Sequence, residues 1–185
     1  MRDLSLHLLD LAQNSISAGA ATVTVRLTED EAGWLTMEIE DDGKGMSPEL
    51  LERVTSPFAT TRTTRKVGLG IPMMKENAEK TGGTLSLESE VGKGTLLRAT
   101  LNTRNIDCLP LGDLPGTLLT LMLTNPLYPE FVFEGRTPKG ECRFDTREVR
   151  TVLGSDIPLN EPSVAEWLRD ALKEEIDPIF GGALI

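Results

Sequence analysis

Residues Lys66 to Gly83 read KVGLGIPMMKENAEKTGG, one glycine pair that opens a helix and a second that closes it. Gly68 and Gly70 let the main chain approach an anion with no Cβ between. A helix starting near Ile71 adds unpaired N–H groups and the positive end of its dipole. Pro72 suits the first turn, where its missing N–H costs nothing. Gly82 supplies the left-handed residue that stops a helix, and Gly83 loosens the exit into a strand. Taken alone, the stretch is either a phosphate site or a helix entered through a flexible turn. Its companions at Asp10, Asn14, Asp41–Gly45 and Gly92–Thr95 separate the two readings.

Upstream, Leu4, Leu8, Leu11, Ala12 and Ile16 recur at helical spacing, which predicts a first helix over 4–16. His7, Asp10, Asn14 and Ser17 fall on one polar stripe of it, either a solvated face or one wall of a site. After Ala18-Gly19-Ala20 the period changes to two. Val23, Val25 and Leu27, then Leu35, Met37 and Ile39, alternate with polar residues, as in two strands each buried on one face. The polar stretch Glu29 to Gly33 joins them as a hairpin. Ser47 and Pro48 start a short helix over 49–54. From Thr55 to Val67 the chain has no apolar period and gathers threonines with Arg62, Arg65 and Lys66, so it reads as a mobile lid. Beyond the central helix, Leu85 and Leu87 and then Leu97, Ala99 and Leu101 alternate on either side of Gly92-Lys93-Gly94, a second hairpin. Four strands and three helices predict an α+β fold, a two-layer α/β sandwich whose mixed sheet leaves one face open to solvent or a partner.

The second strand ends in Asp41 followed by Asp42-Gly43-Lys44-Gly45, which places a carboxylate beside a backbone flat enough for a planar base. Asp41 is then an acceptor for an exocyclic amine. Taken alone, DDGKG is equally an acidic turn in an acidic protein. Asn14 offers a neutral amide oxygen to Mg²⁺ beside phosphates, and Asp10, one turn earlier, offers a carboxylate that can hold a water.

Together, DLAQNSISAGA, DDGKGM, KVGLGIPMMKENAEKTGG and GKGT resemble, in order and spacing, the N box and glycine boxes of the GHKL superfamily, the Bergerat-fold ATPases and kinases. The resemblance covers roughly residues 3 to 101. It implies Mg²⁺-ATP bound between the first helix, the Asp41 turn and the lid. Asp41 would meet the adenine amine, Asn14 would be the metal ligand, and Thr95 would close the site from the sheet. The backbone of Gly68, Leu69, Gly70 and Ile71 would lie on the phosphates. Gly43, Gly45, Met46, Thr60, Thr61, Lys66 and Val67 complete the implied nucleotide-binding set. Asp10 falls four before the N-box asparagine, where hydrolysing members and serine kinases carry a glutamate base, and it is the expected catalytic group. Aspartate is one methylene shorter, which sets its carboxylate back by about 1.3 to 1.5 Å. Misplacement on that scale costs about a hundredfold, which argues against fast hydrolysis but not against binding. The AGA ending of the N box resembles the mismatch-repair branch, whereas GLGIPMMKENAEKTGG and GKGT resemble the histidine kinases and anti-sigma kinases. The implied function is use of ATP to phosphorylate or regulate a partner protein, with a slow ATPase switch or a non-catalytic nucleotide sensor as alternatives.

The remaining features bound that reading. A length of 185 residues suits one domain, or one and a small appendage, and a net charge of −10 disfavours nucleic acid or an anionic membrane as the main partner. Cys108 and Cys142 match no metal or disulfide spacing. With no apolar run long enough to span a bilayer and no signal peptide expected ahead of the first helix, the expected location is cytoplasmic. That helix begins near the N-terminus, so no phosphoacceptor hairpin is expected before it. His7, the single histidine, reads as a polar cap of the helix rather than a phosphoacceptor. Residues 1–104 read as the ATPase domain and 105–185 as a small α+β docking or regulatory module. Its pattern gives a helix over 116–123, a hairpin from Phe131 to Phe144, a helix capped by Asp145 or Thr146, and a last helix capped by Asn160 and running to about Ile176. The expected partners are ATP and a protein docked through this module, with a homodimer as a further assembly.

Overall fold

The computed structural model describes residues 1–55 and 69–181. The elements run α1 (Leu4–Ser17), β1 (Thr22–Glu29), β2 (Trp34–Asp41), α2 (Pro48–Thr55), α3 (Gly70–Lys80), β3 (Leu85–Glu90), β4 (Gly94–Asn102), α4 (Leu114–Thr124), β5 (Glu130–Thr137), β6 (Gly140–Asp145), α5 (Thr146–Leu153) and α6 (Pro162–Phe180). The strands form one sheet in the order β3-β4-β2-β1-β5-β6, antiparallel except where β5 lies parallel to β1. Helices and sheet make the expected α+β two-layer sandwich.

Local chemistry sets the element ends. The Asp3 side chain accepts from Leu6 N–H at the start of α1, Asp113 does the same for Gly116 at α4, and Asp145 for Arg147 at α5. Asn160 does not cap the last helix. The Glu161 carboxylate accepts from Ser163 and Val164 N–H instead, and the helix continues to Phe180. At α2 the Ser47 hydroxyl accepts from Leu50 N–H at 3.3 Å.

Alternation decides which face is buried. Val23, Val25 and Leu27 of β1 lie opposite Asp41, Ile39 and Met37 of β2, and Met37 and Ile39 lie opposite Ala99 and Leu97 of β4. These residues and Phe131 and Phe133 of β5 join the inward faces of α1, α3, α4 and α6 in one continuous core. Among the described residues the C-terminal part builds no separate sheet: β5 covers what would otherwise be a bare edge of β1. The outward face carries charges in alternating sign. Arg26 bridges Glu40 and Glu134, Arg98 meets Glu38, and Arg143 meets Glu134 and Asp145. Among the described residues no helix is long and apolar enough to cross a membrane.

Candidate functional site

Asp41 continues the inward alternation of Leu35, Met37 and Ile39, so its carboxylate enters the layer between sheet and helices, where it is 8% exposed. Two donors fix it: the Ser15 hydroxyl reaches Oδ2 at 2.6 Å and the Gly43 N–H reaches Oδ1 at 2.9 Å. A carboxylate offers about four lone-pair sites, so acceptor capacity remains. The next residue faces away, and Asp42 Oδ1 accepts from the N–H groups of Ala21 and Thr22. The turn then packs onto the β3–β4 hairpin. Gly45 has φ +66°, and a Cβ there would stand 2.0 Å from the Glu90 carbonyl oxygen, so no other residue fits without moving the hairpin. Met46 N–H donates to Ser89 Oγ, which lies 2.8 Å from Thr95 Oγ1. Because Ser89 donates to the Gly94 carbonyl, Thr95 is the donor in that pair.

These groups surround a cavity of about 580 Å³. Its apolar walls include Leu11, Ile39, Leu87 and Leu97, a lining suited to a planar ring. Asn14, Asp41, Gly45, Met46, Ile71 and Thr95, all expected site residues, line it too. Lys44 is the cation and Asp41 the carboxylate among its described walls.

Asp10 is not a wall of this cavity. It lies one turn before Asn14, against the start of α3, where a Cβ on Gly70 would stand 2.0 Å from Asp10 Oδ2. The glycine is thus a close-approach requirement between α1 and α3. Leu69 precedes the helix with no side-chain cap, which leaves the first-turn N–H groups of Gly70 and Ile71 without one among the described residues. Among the described residues no cluster of three or more His, Cys, Asp or Glu could hold a metal ion alone. The residues present still fit magnesium beside a nucleotide, a setting in which it takes few protein ligands and keeps water and phosphate oxygens; Asn14 would be that ligand.

His7 is not a polar cap. It is fully buried between α1 and α3, with Nε2 2.8 Å from Asn77 Nδ2 and Nδ1 without a partner among the described residues. Burial, and the N-terminal charge after it, hold its pKa below the usual value, while Asp10 and Asp3 oppose the shift.

The expected contributions of Thr60, Thr61, Lys66, Val67 and Gly68, and most of the lid from Thr55 to Val67, lie outside the described residues. The sequence reading missed Ser15 and Lys44. Ser15 was visible as a polar residue on the apolar stripe of Leu8, Leu11 and Ala12; Lys44 was quoted inside the turn but given no place in the cavity.

Residues 2–105 match the family of histidine kinase-, DNA gyrase B- and HSP90-like ATPases. Among curated proteins, the sensor kinase CckA of Brucella abortus is 41% identical over 69 residues, 37% of this chain and 7% of that protein. The sensor histidine kinase ZraS of Klebsiella oxytoca is 37% identical over 93 residues, 48% of this chain and 20% of its own. Sporulation kinase C of Bacillus subtilis is 30% identical over 97 residues, 50% and 22% respectively. The chain therefore matches less than a quarter of the length of each. The crystal structure of the N-terminal domain of a DNA repair protein superposes with a TM-score of 0.52 at 15% identity, over 78% of this chain and 52% of that one, a likeness of fold.

Proposed function

The chain belongs to the family of histidine kinase-, DNA gyrase B- and HSP90-like ATPases, and from that premise we propose that it binds Mg²⁺-ATP and transfers the γ-phosphoryl group to a partner protein. The observation that carries the reading is the buried Asp41 carboxylate, held by Ser15 and Gly43 at the wall of a cavity of about 580 Å³ with apolar walls, with the start of α3, uncapped among the described residues, close by. Asp41 accepts from the adenine amine, and the backbone N–H groups of Gly70 and Ile71 receive phosphate oxygens. Asn14 would hold the metal, which would supply neutralisation of phosphate charge. Asp10 orients the attacking group, a hydroxyl or imidazole of the partner, by accepting its proton. In this division of labour residues 1–104 carry the nucleotide and 105–185 meet the partner, although both contribute to one sheet.

A second reading, a slow ATPase switch, is favoured by the position of Asp10 against Gly70, where the same carboxylate would orient a water. ATP labelled on the γ-phosphate separates the readings. Label on a co-purified protein is expected for a kinase, free phosphate identifies an ATPase, and tight binding with neither identifies a sensor.

A further inference from the structure

The helices α5 and α6 flank the end of β6 with a cavity of about 550 Å³ between them. Phe144 and Val149 are buried at its base, whereas Val152 is 86% exposed and Trp167 53% exposed. An exposed tryptophan on a concave surface is the kind of anchor that carries much of the energy in protein interfaces, and Val152 extends the apolar area beside it. The charges lining the cavity are mostly acidic. Glu148, Glu174 and Glu175 line the same cavity. Its cation, Arg143, already meets Glu148, Asp145 and Glu134, and among the described residues no ion pair engages Glu174 or Glu175. On the same helix as Trp167, Glu166 and Asp170 are exposed, as are Arg169 and Lys173, so the acidic excess is set by the residues that line the cavity.

We propose that the α5–α6 groove docks a basic amphipathic segment of a partner protein, its apolar side chains against Val152 and Trp167 and its lysines or arginines facing Glu174 and Glu175. The charge selects this occupant. Phosphates of a nucleic acid or an anionic membrane are repelled by the rim, and a second copy of this chain brings a further net charge of −10. The proposal deepens the reading that the protein acts on a protein partner and rests on it to that extent. It needs no nucleotide in the site.

The test titrates the full chain, with and without ATP, against a fluorescein-labelled synthetic amphipathic helix of leucine and lysine, read by anisotropy. The parent is expected to bind it and to ignore the leucine–glutamate counterpart. Trp167→Ala is expected to weaken binding about tenfold, and Glu174→Lys with Glu175→Lys by at least as much, with a smaller salt dependence. Glu31→Lys, in the β1–β2 turn, should bind as the parent does. Val152→Asp gives a second, independent disruption at an exposed position. Absence of binding overturns the proposal, as does equal affinity in all variants, which marks non-specific attraction to an acidic protein. A parent dimer that Val152→Asp dissociates overturns it too, by assigning the groove to a second copy. Docking lost while ATP still binds leaves the nucleotide reading intact, and the reverse result separates them in the other direction.

Discussion

The Asp10 carboxylate rests against the α-carbon of Gly70, with Oδ2 2.0 Å from where a Cβ would stand. Gly70→Ala therefore forces either Asp10 or the start of α3 to move, although alanine is by about 0.8 to 1 kcal/mol the better helix former. ATP turnover is expected to fall about a hundredfold while the melting temperature holds or rises. A turnover assay beside a thermal melt checks both halves of that outcome.

If Asp10 takes the proton in the transition state, Asp10→Asn should remove phosphate transfer or release and leave ATP affinity within a factor of about two. Asp10→Glu lengthens the reach and is expected to raise hydrolysis about tenfold, roughly 1.4 kcal/mol of barrier. Unchanged turnover in both variants would reduce Asp10 to a polar surface residue and bring the sensor reading forward.

Asp41 is asked to accept from Ser15, Gly43 and, in the proposed complex, an amine. An asparagine must turn its own donor toward one of them, a mismatch of about 1 to 3 kcal/mol. Asp41→Asn should therefore weaken ATP roughly tenfold to a hundredfold by calorimetry in a protein that remains folded. Ser15→Ala removes one support and should cost about tenfold at most.

His7 gives stability a pH dependence. Its folded pKa lies below the unfolded value of 6.5. As pH falls the unfolded chain takes up the proton first, so stability declines through that value and levels off below the folded pKa. The slope is at most about 1.4 kcal/mol per pH unit. Urea unfolding at about pH 7.5 and about pH 5.5 should show the loss, and His7→Gln should reduce it; an identical loss in the variant would assign the dependence to other groups.

Arg150, 9% exposed, donates to Glu130 and to the carbonyls of Pro126 and Ile157, tying α5 to β5, to the loop before β5 and to the loop that follows α5. Arg150→Ala leaves Glu130, 22% exposed, to the Thr146 hydroxyl and solvent, and is expected to cost about 1.5 to 3 kcal/mol, lowering the melting temperature by about 5 °C. ATP affinity, measured below the transition, should be unaffected.

What the sequence disclosed was local. Alternation placed Val23 to Ile39 and Leu85 to Leu101 in strands, and the spacing from Leu4 to Ile16 drew the first helix, because those periods follow from one backbone geometry. The pairing of β1 with β5 joins Val23 to Phe131, more than a hundred positions away, and no local period encodes such a partner. The same holds within the site. Asp41 was legible from its turn, but its bond to Ser15 depends on how α1 crosses the sheet, and the stripe of His7, Asp10 and Asn14 proved to be divided. His7 is buried against Asn77, Asp10 abuts Gly70, and Asn14 faces the cavity. The last helix begins at Pro162, one residue later than a cap at Asn160 requires, so Glu161 holds the capping position and its carboxylate accepts from the Ser163 and Val164 N–H groups.

The charged ladder on the outward face of the sheet has a use apart from stability, since exposed pairs of this kind each contribute little. Arg26 sits between Glu40 and Glu134, and Arg98 beside Glu38, so the middle of this face offers a row of hydrated ions across β4, β2, β1 and β5. Seating an apolar surface there would strip water from each of those ions with nothing to replace it. That part of the face is thereby kept wet, and the charges disfavour stacking of sheet upon sheet there.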